Sequence, residues 1–146
     1  MIELMIAVAI LAIVAAIAIP AYNGYIRESR LGAMRMNLDT LRIAVEGYKL
    51  DSRDSSYRQA APSPPYQYTC NASGVCSSTT TDTVYGWRPE SSQKGAFSYV
   101  VDSPTMTTYN LFALVDNVWV RCQKNPAVTP GFKCCDGTGT STTACP

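Results

Sequence analysis

Two groups of residues in this 146-residue chain carry chemistry. The first is six cysteines: Cys70, Cys76, Cys122, Cys134, Cys135 and Cys145. An even number confined to one segment reads as a disulfide framework, and hence as an oxidising compartment such as the periplasm or the cell surface. Zinc usually needs a C-x-x-C spacing to bring two thiolates onto one ion. Cys134 and Cys135 are adjacent, and no C-x-x-C pair occurs. The second is Glu3, the one charged residue between positions 1 and 19. A carboxylate in an apolar helix costs a few kcal/mol on insertion scales, so Glu3 calls for a partner.

Other chemistry is missing. The chain has no histidine, which removes the commonest general base and the commonest metal ligand. It shows no paired-carboxylate signature and no glycine-rich phosphate loop. The expectation is a non-enzyme with no cofactor, no metal and no small-molecule substrate. A net charge of +1 points to neither nucleic acid nor cations as global partners. The basic residues Arg53, Arg58, Arg88, Lys94, Arg121, Lys124 and Lys133 are scattered, which reads as a solvated face.

Six cysteines allow 15 pairings. Cys70 with Cys76 is the simplest, because no other cysteine is near in sequence. Cys122 then takes Cys134 or Cys135, and the remaining one takes Cys145. A loop of about ten residues closed from Cys122 is worth about 2–3 kcal/mol in the chain-entropy picture. Candidate O-glycosylation sites are Ser77, Ser78, Thr79, Thr80 and Thr81, in a stretch that also reads as a solvated loop. Asn71-Ala72-Ser73 fits the simple N-glycosylation sequon, without an acid two positions before it.

Residues 4–19 are apolar throughout. A helix of about 20 residues spans the roughly 30 Å hydrocarbon core of a bilayer. The segment lacks the cationic start and small-residue cleavage site of an ordinary signal peptide. Arg27, Arg30 and Arg35 follow it, and the positive-inside rule alone would place that side in the cytoplasm, against the cysteines. A cationic leader removed from the chain resolves the conflict. Pro20 and Gly24 lower helix propensity locally. Beyond them Leu31, Met34, Leu38, Leu41, Val45 and Tyr48 recur at spacings of 3 and 4, one stripe of an amphipathic helix. Arg35, Asp39, Arg42, Glu46 and Lys49 mark the other face, and Arg42 and Glu46 are placed to pair. Tyr22, Tyr25 and Tyr48 read as packing aromatics.

The pattern predicts an α+β chain. Its parts are an apolar half-helix over 1–25 and a globular head over 26–146. The head divides into helix 26–53, loop 54–83, antiparallel sheet 84–122 and disulfide loop 123–146. Strands are expected at 84–88, 96–101, 107–115 and 118–122, with Asp116-Asn117 as a hairpin turn. Residues 124–146, rich in Gly, Pro and Thr, are expected as loop rather than sheet.

The stretch Ile2-Glu3-Leu4-Met5-Ile6-Ala7-Val8-Ala9-Ile10, with Ala15-Ala16-Ile17-Ala18-Ile19-Pro20-Ala21-Tyr22, resembles the N-terminal signature of type IV pilins and the related pseudopilins. The lone glutamate, the unbroken apolar run and a proline 17 positions after the glutamate carry the resemblance. The resemblance implies the pilin fold: a long N-terminal helix packed on a small antiparallel sheet, with a disulfide-bridged C-terminal loop. It implies a subunit that polymerises by helix–helix packing into an extracellular pilus serving adhesion, twitching motility or DNA uptake. Before assembly the chain would sit in the inner membrane of a Gram-negative-type bacterium, its head in the periplasm. The implied partners are identical subunits, the assembly machinery and a prepilin peptidase, with DNA and surface receptors as further candidates.

Assembly residues implied by the family are Glu3, Pro20 and Gly24. Glu3 would pair with the N-terminal amine of the next subunit, and the helix around Pro20 would melt and extend in the filament, between residues 12 and 22. Family members are cut and N-methylated, and Met1 stands where a third mature residue would, so a leader and two further residues are expected before it. Alternatives are a minor pilin or a type II secretion pseudopilin. Major pseudopilins tend to use calcium where this chain has cysteines. Outside the family, the alternative is a membrane-anchored periplasmic enzyme.

Overall fold

The 3-and-4 spacing of apolar residues becomes one long helix in the computed structural model, which describes residues 2–59, 61–90, 95–127 and 131–139. Helix α1, Ile2–Asp51, runs without interruption through Pro20. Losing one backbone donor is tolerable here, where the strong helix formers Ala15, Ala16, Ala18 and Ala21 flank the proline. Ser52 ends the helix. Its hydroxyl donates to the carbonyl of Lys49 at 2.9 Å and accepts from the Ser56 amide at 3.1 Å, turning the chain away.

The chain divides into two compact units, Met1–Arg30 and Leu31–Pro146. In the first, every described residue from 2 to 25 is exposed. In the second, the expected stripe is the core seam: Leu31, Met34, Leu38, Leu41 and Val45 are buried, and Tyr48 is half-buried.

The seam lies on a six-stranded antiparallel sheet of order β2-β1-β3-β4-β5-β6. The strands are β1 (Tyr66–Cys70), β2 (Cys76–Thr79), β3 (Phe97–Asp102), β4 (Tyr109–Val115), β5 (Val118–Lys124) and β6 (Phe132–Thr138). Strict alternation puts Tyr109, Leu111, Ala113 and Val115 of β4 on the inner face, opposite Val118, Val120 and Cys122 of β5. Four tyrosines, Tyr57, Tyr66, Tyr99 and Tyr109, are fully buried. Each has its hydroxyl in a hydrogen bond, which makes so polar a core tolerable.

Three expectations are corrected. Residues 84–88 are not a strand. A short helix α2, Thr80–Tyr85, stands there and stops at Gly86, whose φ of 64° is left-handed and suits glycine. A helix turn lets Val84 and Tyr85 both bury, which a strand's alternation would not. The expected loop 54–83 holds β1 and β2, and the expected loop 123–146 holds β6. Their ladders come from register with distant partners, Tyr66 opposite Val101 and Val120 opposite Asp136, so polar composition did not decide them.

Candidate functional site

The apolar segment is the first candidate. Ile2, Leu4, Met5 and Leu11 are each about two-thirds exposed or more, and the same holds for Ile17 near its end. The helix is long and apolar enough to cross a membrane. Glu3 lies in its first turn, where the positive end of the helix dipole favours a carboxylate. Gly24 has open space where a Cβ would be. Tyr22 and Tyr25 are exposed and available for contacts beyond this chain.

The cysteines come next. Cys70 bonds Cys76 and Cys122 bonds Cys134. The choice between Cys134 and Cys135 is made by register: Cys134 stands directly opposite Cys122, while Cys135 stands opposite Arg121 on the other face. Cys135 is also in a disulfide. Its expected partner, Cys145, lies outside the described residues. Each of these two bridges ties an outermost strand to its inner neighbour, β2 to β1 and β6 to β5. In the turn between Cys70 and Cys76, the Asn71 side-chain oxygen accepts from the amides of Ser73 and Val75 at 3.0 and 2.9 Å. Asn71 therefore shapes the turn.

The hydroxyl run is not uniform. Thr81 is fully buried. The Thr80 hydroxyl accepts from the Gln67 amide at 2.6 Å and donates to the Gln67 carbonyl at 3.2 Å. Ser78 is half-buried, and Ser77 and Thr79 are exposed.

A cluster around Glu46 was not foreseen. Its carboxylate accepts from the hydroxyls of Tyr57 at 2.7 Å and Tyr109 at 2.8 Å, and Lys124 stands 3.4 Å away. Burial pushes the Glu46 carboxyl up, but the two phenol hydrogen bonds and the Lys124 ammonium outweigh it. The net position is below the ordinary value. Burial and the hydrogen bond to Glu46 hold the Tyr57 and Tyr109 hydroxyls well above the usual phenol range. Arg42, expected beside Glu46, lies over the Phe132 ring at 4.1 Å. The only sequence signal for this cluster is a carboxylate at the border of the buried stripe. Its partners are far away along the chain.

Of the scattered cations, Arg88 pairs with Asp82 at 2.8 Å and Lys124 with Glu46. Lys94 lies outside the described residues.

No protein-family model matches the chain, and no solved structure matches it significantly. Curated relatives do match. A type IV major fimbrial protein FimA of Dichelobacter nodosus is 44% identical over 55 residues, which is 38% of this chain and 35% of the relative. Another FimA of the same organism is 45% identical over 53 residues, 36% of this chain and 33% of the relative. Over that stretch the chain is similar to type IV major fimbrial proteins, which supports a type IV pilin assignment. Its match spans about a third of the length of those relatives, with 35% of the first covered. The pilin fold is present in its parts: the long N-terminal helix, the antiparallel sheet beneath its second half, and a bridge near the C-terminus.

Proposed function

We propose that this chain is the structural subunit of an extracellular type IV pilus. Its work is mechanical and needs no catalytic group. The observation that carries the reading is the apolar helix surface over residues 4–19, exposed on every side in a chain whose second unit has its own core. Covering apolar surface is worth about 25 cal/mol per Å². Lipid covers it while the chain waits in the inner membrane, and neighbouring copies cover it in the filament.

Glu3 then loses its water in both settings. In the filament it pairs with the N-terminal amine of the next subunit after the prepilin peptidase has cut, and so sets the register between copies. Pro20 and Gly24 mark where α1 can lose backbone hydrogen bonds on assembly. An extended residue rises about 3.3 Å against about 1.5 Å in a helix, so a melted turn lets the chain lengthen. Ser77 and Thr79, the exposed hydroxyls of the run, are the positions open to O-linked sugar. Adhesion, motility and DNA uptake would follow from the filament's surface. The relatives' description as major fimbrial proteins favours a main subunit over a minor one.

The test is material sheared from cells producing the chain. Thin filaments containing it are expected in electron micrographs, and Glu3→Ala should cut filament yield at least tenfold while membrane levels stay level. Finding the wild-type chain only in soluble periplasm, with no filaments, overturns the proposal.

A further inference from the structure

A cleft of about 350 Å³ opens in the second unit, between the end of β1, the start of β3 and the segment that follows α2. Ligand clefts run from about 300 to 1,000 Å³, so this one suits a small guest. Tyr68 and Phe97 form an aromatic wall. Their rings are parallel within 8°, with centroids 6.4 Å apart. The Cys70–Cys76 bridge lines another side.

The wall and the rim are held in place from behind. Trp87 meets the Tyr68 ring edge-on, and its indole N–H donates to the Thr40 hydroxyl of α1 at 2.9 Å. The Glu90 amide donates to the side-chain oxygen of Asn37 at 3.3 Å. The cleft is therefore shaped before any guest arrives, which lowers the cost of binding.

Its polar groups have capacity to spare. Among the described residues, the Tyr68 hydroxyl and the Glu90 carboxylate take part in no hydrogen bond or ion pair. Arg88 gives one guanidinium nitrogen to Asp82 at 2.8 Å, which leaves other donors over. One small cleft is thus lined by an acceptor, a donor and a hydroxyl that can be either.

We propose that this cleft binds the terminal neutral hexose of a glycan. A pyranose ring has a face of C–H bonds, polarised positive, which suits the negative face of an aromatic ring. Its hydroxyls need donors and acceptors side by side, as Arg88, Tyr68 and Glu90 supply. Charge selects a neutral sugar. Asp82 already neutralises Arg88, so Glu90 leaves the rim net negative and unwelcoming to an acidic sugar. A cationic guest would meet Arg88. The cleft is small, so the rest of the glycan projects into solvent. The inference goes beyond the filament reading and does not depend on it.

The experiment uses the oxidised full chain in a polyoxyethylene detergent, which carries no sugar head group. The probes are the methyl glycosides of glucose, galactose and mannose, with the free hexoses and choline beside them. A methyl glycoside stands for a ring joined to the rest of a glycan. At millimolar concentration, saturation-transfer NMR should mark the ring protons of at least one methyl glycoside. Glu90→Ala and Arg88→Ala, both at exposed side chains, should each weaken that binding at least fivefold with melting temperature unchanged. Tyr68→Ala should abolish it, and Met106→Ala, on the exposed loop at the other end of β3, should leave it within twofold. Transfer to none of the three glycosides, transfer that Glu90→Ala leaves unchanged, or transfer to choline or to free hexoses alone overturns the inference.

Discussion

Glu46 shows how one side chain ties distant parts of the second unit together. Helix α1 supplies the carboxylate, residue 57 follows the helix, and β4 and β5 supply Tyr109 and Lys124. Its folded-state pKa is depressed, so its contribution is present above the unfolded carboxylate value, near 4.5. That contribution is lost as pH falls through the lower folded value. Melting temperature should therefore drop more steeply below about pH 4.5 in the wild type than in Glu46→Gln. At neutral pH, Glu46→Ala strands two buried hydroxyls and should cost about 1–3 kcal/mol in chemical denaturation. Gly137 has a different task. A Cβ there would stand 2.6 Å from Cζ2 of Trp119, which faces it across β5 and β6. Gly137→Ala should destabilise by about 1–3 kcal/mol and shift Trp119 fluorescence, since the indole must move. Neither residue was legible in the sequence. Glu46 looked like a partner for Arg42, and Gly137 like one more loop glycine, because their constraints come from residues far along the chain.

Elements were legible where a local repeat governs them. The stripe from Leu31 to Val45 is legible because buried positions on a helix must recur every three or four residues. The alternation of β4 and β5 was equally open to reading. Leu38→Ala should cost about 2–5 kcal/mol, because Leu38 is 1% exposed and its site can collapse only in part. The same change at Leu50, 86% exposed, should leave monomer melting almost unmoved. Strands β1, β2 and β6 escaped reading. Sequences such as Cys-Ser-Ser-Thr carry no apolar alternation, and their pairing is imposed by the strands beside them. Helix α2 escaped for the converse reason. Its Thr and Val residues favour strands in isolation, but burial of Val84 with Tyr85 outweighs that preference.

At the scale of the molecule, the two units differ in how they hide apolar surface. Among the described residues, the first buries no side chain, and the second closes around nineteen buried side chains. In a detergent phase separation the full chain should partition into the detergent phase, and a chain starting at Leu31 should stay in water. A full chain found wholly in water would contradict the membrane-storage stage. Sequence alone revealed this contrast, because hydropathy needs no tertiary contacts to be read.

The two bridged rims of the sheet have a consequence for crowded copies. An outermost strand offers bare amides and carbonyls, and is the part of a sheet most easily peeled off and traded with a neighbour's. Here β2 and β6 are each covalently clipped to the strand inside them. Copies held side by side at very high local concentration cannot swap rims without first breaking a sulfur–sulfur bond. The oxidised chain can thus be pulled and pressed against its own kind and keep its identity, while a reduced one is open to tangling.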